Sequence, residues 1–150
     1  MFSSSLQTVG PIDLQKYSGK WYEIARIPTI FEMNDTNVTA TYTLEGGVVR
    51  LLNESYKNGK YTSISGAVIP YDEYNSKLRV KFDIPFLPEG NYWIILCDSD
   101  YNFAVISEPN KEMLWILSRT KVIDENIYQL ILNSISKDFD LNKIIKTIQN

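Results

Sequence analysis

The 150-residue chain has no histidine. That removes the commonest general base, the commonest metal ligand and every histidine-based nucleophile activation. It has one cysteine, Cys97, so neither an intrachain disulfide nor a cysteine-built zinc site can form. Cys97 lies in an apolar run and reads as a small buried hydrophobe. The scarcity of cysteine points to a reducing compartment. A basic excess is also missing: 15 Lys and Arg face 18 Asp and Glu, a formal charge of −3. Nucleic-acid binding, which needs a basic face against phosphates, is therefore not expected. No apolar run reaches the length of a membrane span. The start, Met1 to Gln7, has neither a basic beginning nor an apolar centre, so it is not a secretory signal. No calcium-loop pattern occurs, and neither a metal nor a cofactor is expected.

What the chain does have is aromatics: ten Tyr, six Phe and three Trp. These favour strands, where they fit a pleated, half-buried surface. Hydrophobic residues at 44% and charged residues at 22% suit one folded domain over 1–150. Residues 1–16 read as a polar, turn-rich arm containing Gly10-Pro11. The first strand runs from Lys20 to Ile27 and stops at Pro28. Its alternation puts Trp21, Glu23, Ala25 and Ile27 on one face and Tyr22, Ile24 and Arg26 on the other. Further strands follow at 37–44, 48–56, 61–69, 77–82, 91–97, 103–107 and 114–119, with Gly46-Gly47 and Asn58-Gly59 as hairpin turns. Eight strands joined by short turns predict an all-β, antiparallel up-and-down barrel over about 19–119, with an open two-layer sandwich as the competing architecture. The period then changes. Asp124 caps a helix expected over 124–139, whose apolar stripe Ile127, Leu130, Ile131 and Ile135 docks outside the barrel on Tyr22 and Ile24. A final short strand is expected near 146–149.

Parity fixes the two ends. In a meander, Gly19 and Trp21 at the start of the first strand meet the Asp98 to Tyr101 turn and Arg119 at the end of the last. Arginine over an indole face is a structural plug for that end, with no nucleophile or base beside it. The opposite end carries two unusually apolar loops, one with Ile30, Phe31 and Met33, the other with Ile84, Phe86 and Leu87. Apolar rims mark ligand entrances, partner surfaces or membrane contacts.

Gly19-Lys20-Trp21, the acidic Asp98-Ser99-Asp100-Tyr101 turn and Leu117-Ser118-Arg119-Thr120 occur in this order, with a helix after the third. The chain thereby resembles the lipocalin family. Trp21-Tyr22-Glu23-Ile24-Ala25, Thr41-Tyr42-Thr43-Leu44 and Pro85-Phe86-Leu87-Pro88 resemble the branch of apolipoprotein D, bacterial outer-membrane lipocalins and plant temperature-induced lipocalins. The resemblance implies an eight-stranded calyx for fatty acids, lysophospholipids, sterols or similar ligands, with links to membrane maintenance and stress response. The disulfide cysteines of the secreted members and the lipidated cysteine of the bacterial ones are missing here.

Alternation assigns Ala25, Val38, Ala40, Tyr42, Leu51, Asn53, Ile64, Gly66, Val68, Leu78, Val80, Phe82, Tyr92, Ile94 and Leu96 to the interior, with Cys97 on the opposite face. Small Ala25, Ala40 and Gly66 leave volume, and the Tyr42 and Tyr92 hydroxyls suit a polar head. Glu23 is an inward carboxylate that needs a partner: Arg26, Arg119 or a tyrosine. The reading is a binder of a small lipophilic ligand, not an enzyme, acting as a monomer or weak dimer. It is cytoplasmic with peripheral membrane contact, or secreted if a signal peptide precedes this sequence. The alternatives are a membrane-surface or protein-interaction module working through its rim loops, and a barrel enzyme acting on a lipid.

Overall fold

The computed structural model describes residues 6–30 and 32–150; the rim position Phe31 lies outside the described residues. A four-residue helix α1 (Leu14–Tyr17) precedes eight strands: β1 (Gly19–Ile27), β2 (Thr36–Glu45), β3 (Val48–Lys57), β4 (Lys60–Pro70), β5 (Lys77–Phe82), β6 (Gly90–Cys97), β7 (Phe103–Ser107) and β8 (Leu114–Ser118). Each pairs antiparallel with the next, and β1 pairs with both β2 and β8. The sheet is therefore a closed barrel, which removes the exposed edges a sandwich would leave. Asn58 and Gly59, both at positive φ, make the tight β3–β4 hairpin with Lys57 opposite Lys60.

The helix α2 (Glu125–Ile135) begins at Asp124, whose carboxylate accepts from the Asn126 and Ile127 amides. It is shorter than the 124–139 expected. Phe139 instead turns back and buries in the same cluster. Tyr128, Ile131 and Ile135 pack with Ile24, Ala25, Ile27, Val105, Leu114 and Ile116 on the outside of the barrel. Each such buried aliphatic side chain contributes roughly 1.5–3 kcal/mol. Tyr22 is not in this cluster; it is half-buried with the Lys20 ammonium over its ring. A last strand β9 (Ile145–Lys146) pairs with β1, and the chain continues with the Thr147 amide donating to Ile24 and Asn37 donating to Ile148. The C-terminal segment thus fills the gap where β2 leaves β1 beyond Tyr22.

Two bulges change which residues face inwards. In β1 the register shifts between Glu23 and Ala25: Glu23 lies opposite Leu117, but Ala25 lies opposite Ile116. The extra residue reverses parity. Ala25 and Ile27 consequently face α2, not the interior, and Arg26 turns inwards opposite Trp115. In β6 a second shift between Ile94 and Leu96 sends Leu96 outwards opposite Val105 and Cys97 inwards opposite Ala104. A third shift, in β2 between Thr36 and Thr39, accompanies Asn37 at φ 52°.

Candidate functional site

The closed end is built from the first strand's beginning and the last strand's end. The Arg119 guanidinium carbon lies 3.7 Å from the Trp21 ring centroid. Its nitrogens donate to the carbonyls of Tyr101, Lys20, Lys16 and Tyr17. Trp21, fully buried, donates its indole N–H to the Tyr17 carbonyl at 2.9 Å. Gly19, at φ 105°, brings the backbone so close that an added Cβ would stand 3.1 Å from an Arg119 nitrogen. Asp98 caps its turn by accepting from the Asn102 and Phe103 amides, and the Tyr101 hydroxyl accepts from the Asp13 amide. The N-terminal arm crosses under this end, burying Ile12 in the inner cluster and Leu6 in the outer one. Cys97 is half-buried and packs against the inner cluster, and burial pushes its thiol up to about 11.

Above this plug the interior is packed by Ala40, Tyr42, Leu51, Val68, Leu78, Tyr92 and Ile94, all buried. Ala104, Ile106 and Leu117 join them, completing the wall from β7 and β8. Three tyrosines form a chain here: the Tyr92 hydroxyl lies 2.6 Å from that of Tyr17 and 2.6 Å from that of Tyr42. Burial holds all three hydroxyls above the ordinary tyrosine range, so they stay protonated. Gly66 is needed for close approach: an added Cβ would meet the Lys81 carbonyl oxygen at 2.5 Å. Towards the other end, Val38, Asn53, Ile64, Val80 and Phe82 are only half-buried.

The rim residues stand free. Ile30 is 82% exposed, Met33 60% and Phe86 103%, with Ile84 and Leu87 also exposed. Beneath the β1–β2 loop lies a buried ionic group. Arg26 donates to Glu23 at 2.7 Å, to Thr147 and to the carbonyls of Met33 and Asp35. Thr147 donates to the same Glu23 oxygen at 2.6 Å. Glu32 reaches in from the loop, accepts from the Trp115 indole at 2.6 Å and lies within hydrogen-bonding reach of Glu23. Two carboxyls and one guanidinium are neutral when the pair keeps one proton. Burial first, and then the neighbouring Glu32, push Glu23 up to about 8. Burial also raises Glu32.

The barrel, its plug and its helix all fall inside a single family match, for the lipocalin-like domain profile covers residues 12–149. This chain belongs to the lipocalin family. The lipocalin is 39% identical to temperature-induced lipocalin-1 of Arabidopsis thaliana, over 97% of this chain and 83% of that protein. It is 35% identical to the outer membrane lipoprotein Blc of Citrobacter freundii, over 91% and 79%. It is 32% identical to apolipoprotein D of Macaca fascicularis, over 91% and 77%. In fold it is similar to insecticyanin of the tobacco hornworm Manduca sexta, with a TM-score of 0.83 at 22% identity, over 97% of this chain and 85% of that one.

In this lipocalin several interior side chains escaped the sequence reading. Arg26 is anticipated as one candidate partner of Glu23 and does pair with it, but the bulges hide that Arg26 and Cys97 face inwards. Tyr17, in the arm, carries no strand signal. Trp115 and Glu32 stand 83 residues apart, and only the barrel's closure joins them. Among the described residues no helix is long and apolar enough to cross a membrane.

Proposed function

We propose that this lipocalin binds a small hydrophobic or amphipathic molecule in the upper half of its barrel. Homologues in the family bind small hydrophobic ligands. The observation that carries the reading for this chain is the gradient of burial inside the barrel. Trp21, Tyr42 and Leu78 near the plug are buried, while Ile64, Val80 and Phe82 nearer the rim keep accessible surface. An apolar interior that is sealed at one end and accessible towards the other suits a ligand's tail. Among the interior positions, Val38, Asn53, Ile64, Val80 and Phe82 would touch the ligand, with Ala40, Leu51, Gly66 and Val68 below them.

The exposed Ile30, Met33, Phe86 and Leu87 favour a finer version, in which the rim rests on a membrane and the ligand is an acyl lipid taken from it. A cytoplasmic location with such peripheral contact fits the single cysteine. The similarity to a temperature-induced lipocalin extends the proposal to membrane maintenance under stress. No catalytic step is proposed. The Cys97 thiol is held protonated at the packed end, and the Glu23 and Glu32 carboxyls are engaged by Arg26, Thr147 and Trp115.

Native mass spectrometry of freshly purified protein tests the reading. A copurified lipid of defined mass, bound one per chain and competed by added monoacyl lipid, is the expected result. Failure to take up any of a panel of fatty acids, lysophospholipids and sterols would reject it.

A further inference from the structure

The tyrosine chain holds one proton more than it can use. Three hydroxyls carry three donors, and they share two hydrogen bonds, Tyr17 to Tyr92 and Tyr42 to Tyr92. Among the described residues none of the three hydroxyls has a further partner. Whichever way the bonds are directed, one O–H has no acceptor. The tyrosines keep 3%, 4% and 8% of their surface, with Tyr92, the central one, the most exposed. A buried donor without an acceptor is costly, and native interiors rarely leave one so.

The surrounding wall is apolar: Ala40, Leu51, Leu78 and Ile94. The nearest cation, Arg119, is committed to four backbone carbonyls and to the Trp21 face. A carboxylate or phosphate arriving here would be buried without a counter-charge. A ketone, ester or ether oxygen would accept the spare proton with no such penalty.

Resting on the barrel-binding reading above, we propose that the Tyr17–Tyr92–Tyr42 chain is the seat for an uncharged acceptor oxygen at the leading end of the ligand. The ligand then enters with a neutral oxygen down and any charged group up at the rim. The class is a long-chain ketone, ester or oxo-sterol, rather than a fatty acid held by its carboxylate.

The test compares two matched ligands, a long-chain methyl ketone and the isosteric alkene in which CH2 replaces the carbonyl oxygen. Affinities are read by displacement of a fluorescent lipid probe. The wild type should prefer the ketone by about two- to tenfold, the worth of one hydrogen bond. The variant Tyr17→Phe/Tyr42→Phe/Tyr92→Phe removes all three hydroxyls together and so leaves no orphan. It should lose the ketone preference. The carbonyl stretch of bound, carbonyl-labelled ketone should lie at lower wavenumber in the wild type than in the variant. Equal affinity of the two ligands for the wild type overturns the seat, as does a preference or a carbonyl shift that survives the triple substitution. Either result leaves barrel binding intact. Binding of neither ligand, nor of the probe, overturns the barrel reading itself.

Discussion

The guanidinium of Arg119 lies over the indole of Trp21 at 3.7 Å, joining the last strand of the barrel to the first. The contact closes one end, since both groups also bind carbonyls of α1 and its flanks. Trp21→Ala should therefore act on folding. The expected loss is roughly 3–5 kcal/mol, the range for a buried aromatic truncated to alanine. Urea denaturation checks this. Under conditions where the variant stays folded, its ligand affinity should equal the wild type's.

The Glu23–Glu32 pair predicts an unusual pH dependence. Glu23 sits near 8 in the folded protein because it is buried and faces Glu32, against roughly 4.3 in an unfolded chain. A raised carboxyl binds more protons folded than unfolded, so stability falls as pH rises. The stabilisation is complete below the ordinary carboxylate range and is lost as pH climbs through about 8. Melting temperature should thus decline from pH 5 to pH 8. Glu23→Gln should flatten that slope, as a series of thermal melts would show.

Gly66 lies opposite Phe82, at the end of the β4–β5 pairing. Its role is to let two backbones meet, not only to leave room for a ligand. Gly66→Ala would place a methyl 2.5 Å from the Lys81 carbonyl oxygen and 2.9 Å from the Phe82 Cα. The strands must part, and a destabilisation of roughly 1–3 kcal/mol is expected, as for other overpacked sites. Denaturant midpoints, with amide exchange at Lys81 and Phe82, report it.

The rim should matter for transfer rather than stability. Phe86 and Leu87 are exposed, and Pro85 and Pro88 stiffen the loop that carries them. Phe86→Asp with Leu87→Asp should leave the melting temperature nearly unchanged. Stopped-flow transfer of a fluorescent fatty acid from liposomes should slow, at similar equilibrium affinity.

The strands were legible because alternation and turn residues repeat clearly, as in Thr39, Thr41 and Thr43 against Ala40, Tyr42 and Leu44. Their number and short turns favoured a barrel but left a sandwich open; the pairing of β1 with both β2 and β8 decides between them. The bulges were not legible. Ile95 lies in an apolar run, and Ile24 lies between Glu23 and Ala25 in a stretch that alternates acceptably without a bulge, so nothing in the pattern marks either as an insertion. Each bulge nonetheless turned the following residues over, sending Ala25 and Leu96 outwards and bringing Arg26 and Cys97 in. The tyrosine chain was half visible. Tyr42 and Tyr92 follow from alternation, but Tyr17 reaches them from an arm whose path is set by long-range contacts such as Val9 to Ile94 and Ile12 to Tyr74.

Binding inside the barrel is the central claim, and methyl-resolved NMR tests it most directly. Protein labelled at Ile, Leu and Val methyls is titrated with a long-chain monoacyl lipid. Shifts concentrated at Ile64, Val68, Val80 and Leu51, with Val48, Ile69 and Leu130 on the outer surface unmoved, are predicted. Shifts confined to those outer methyls, with the interior set unchanged at saturation, would contradict the account.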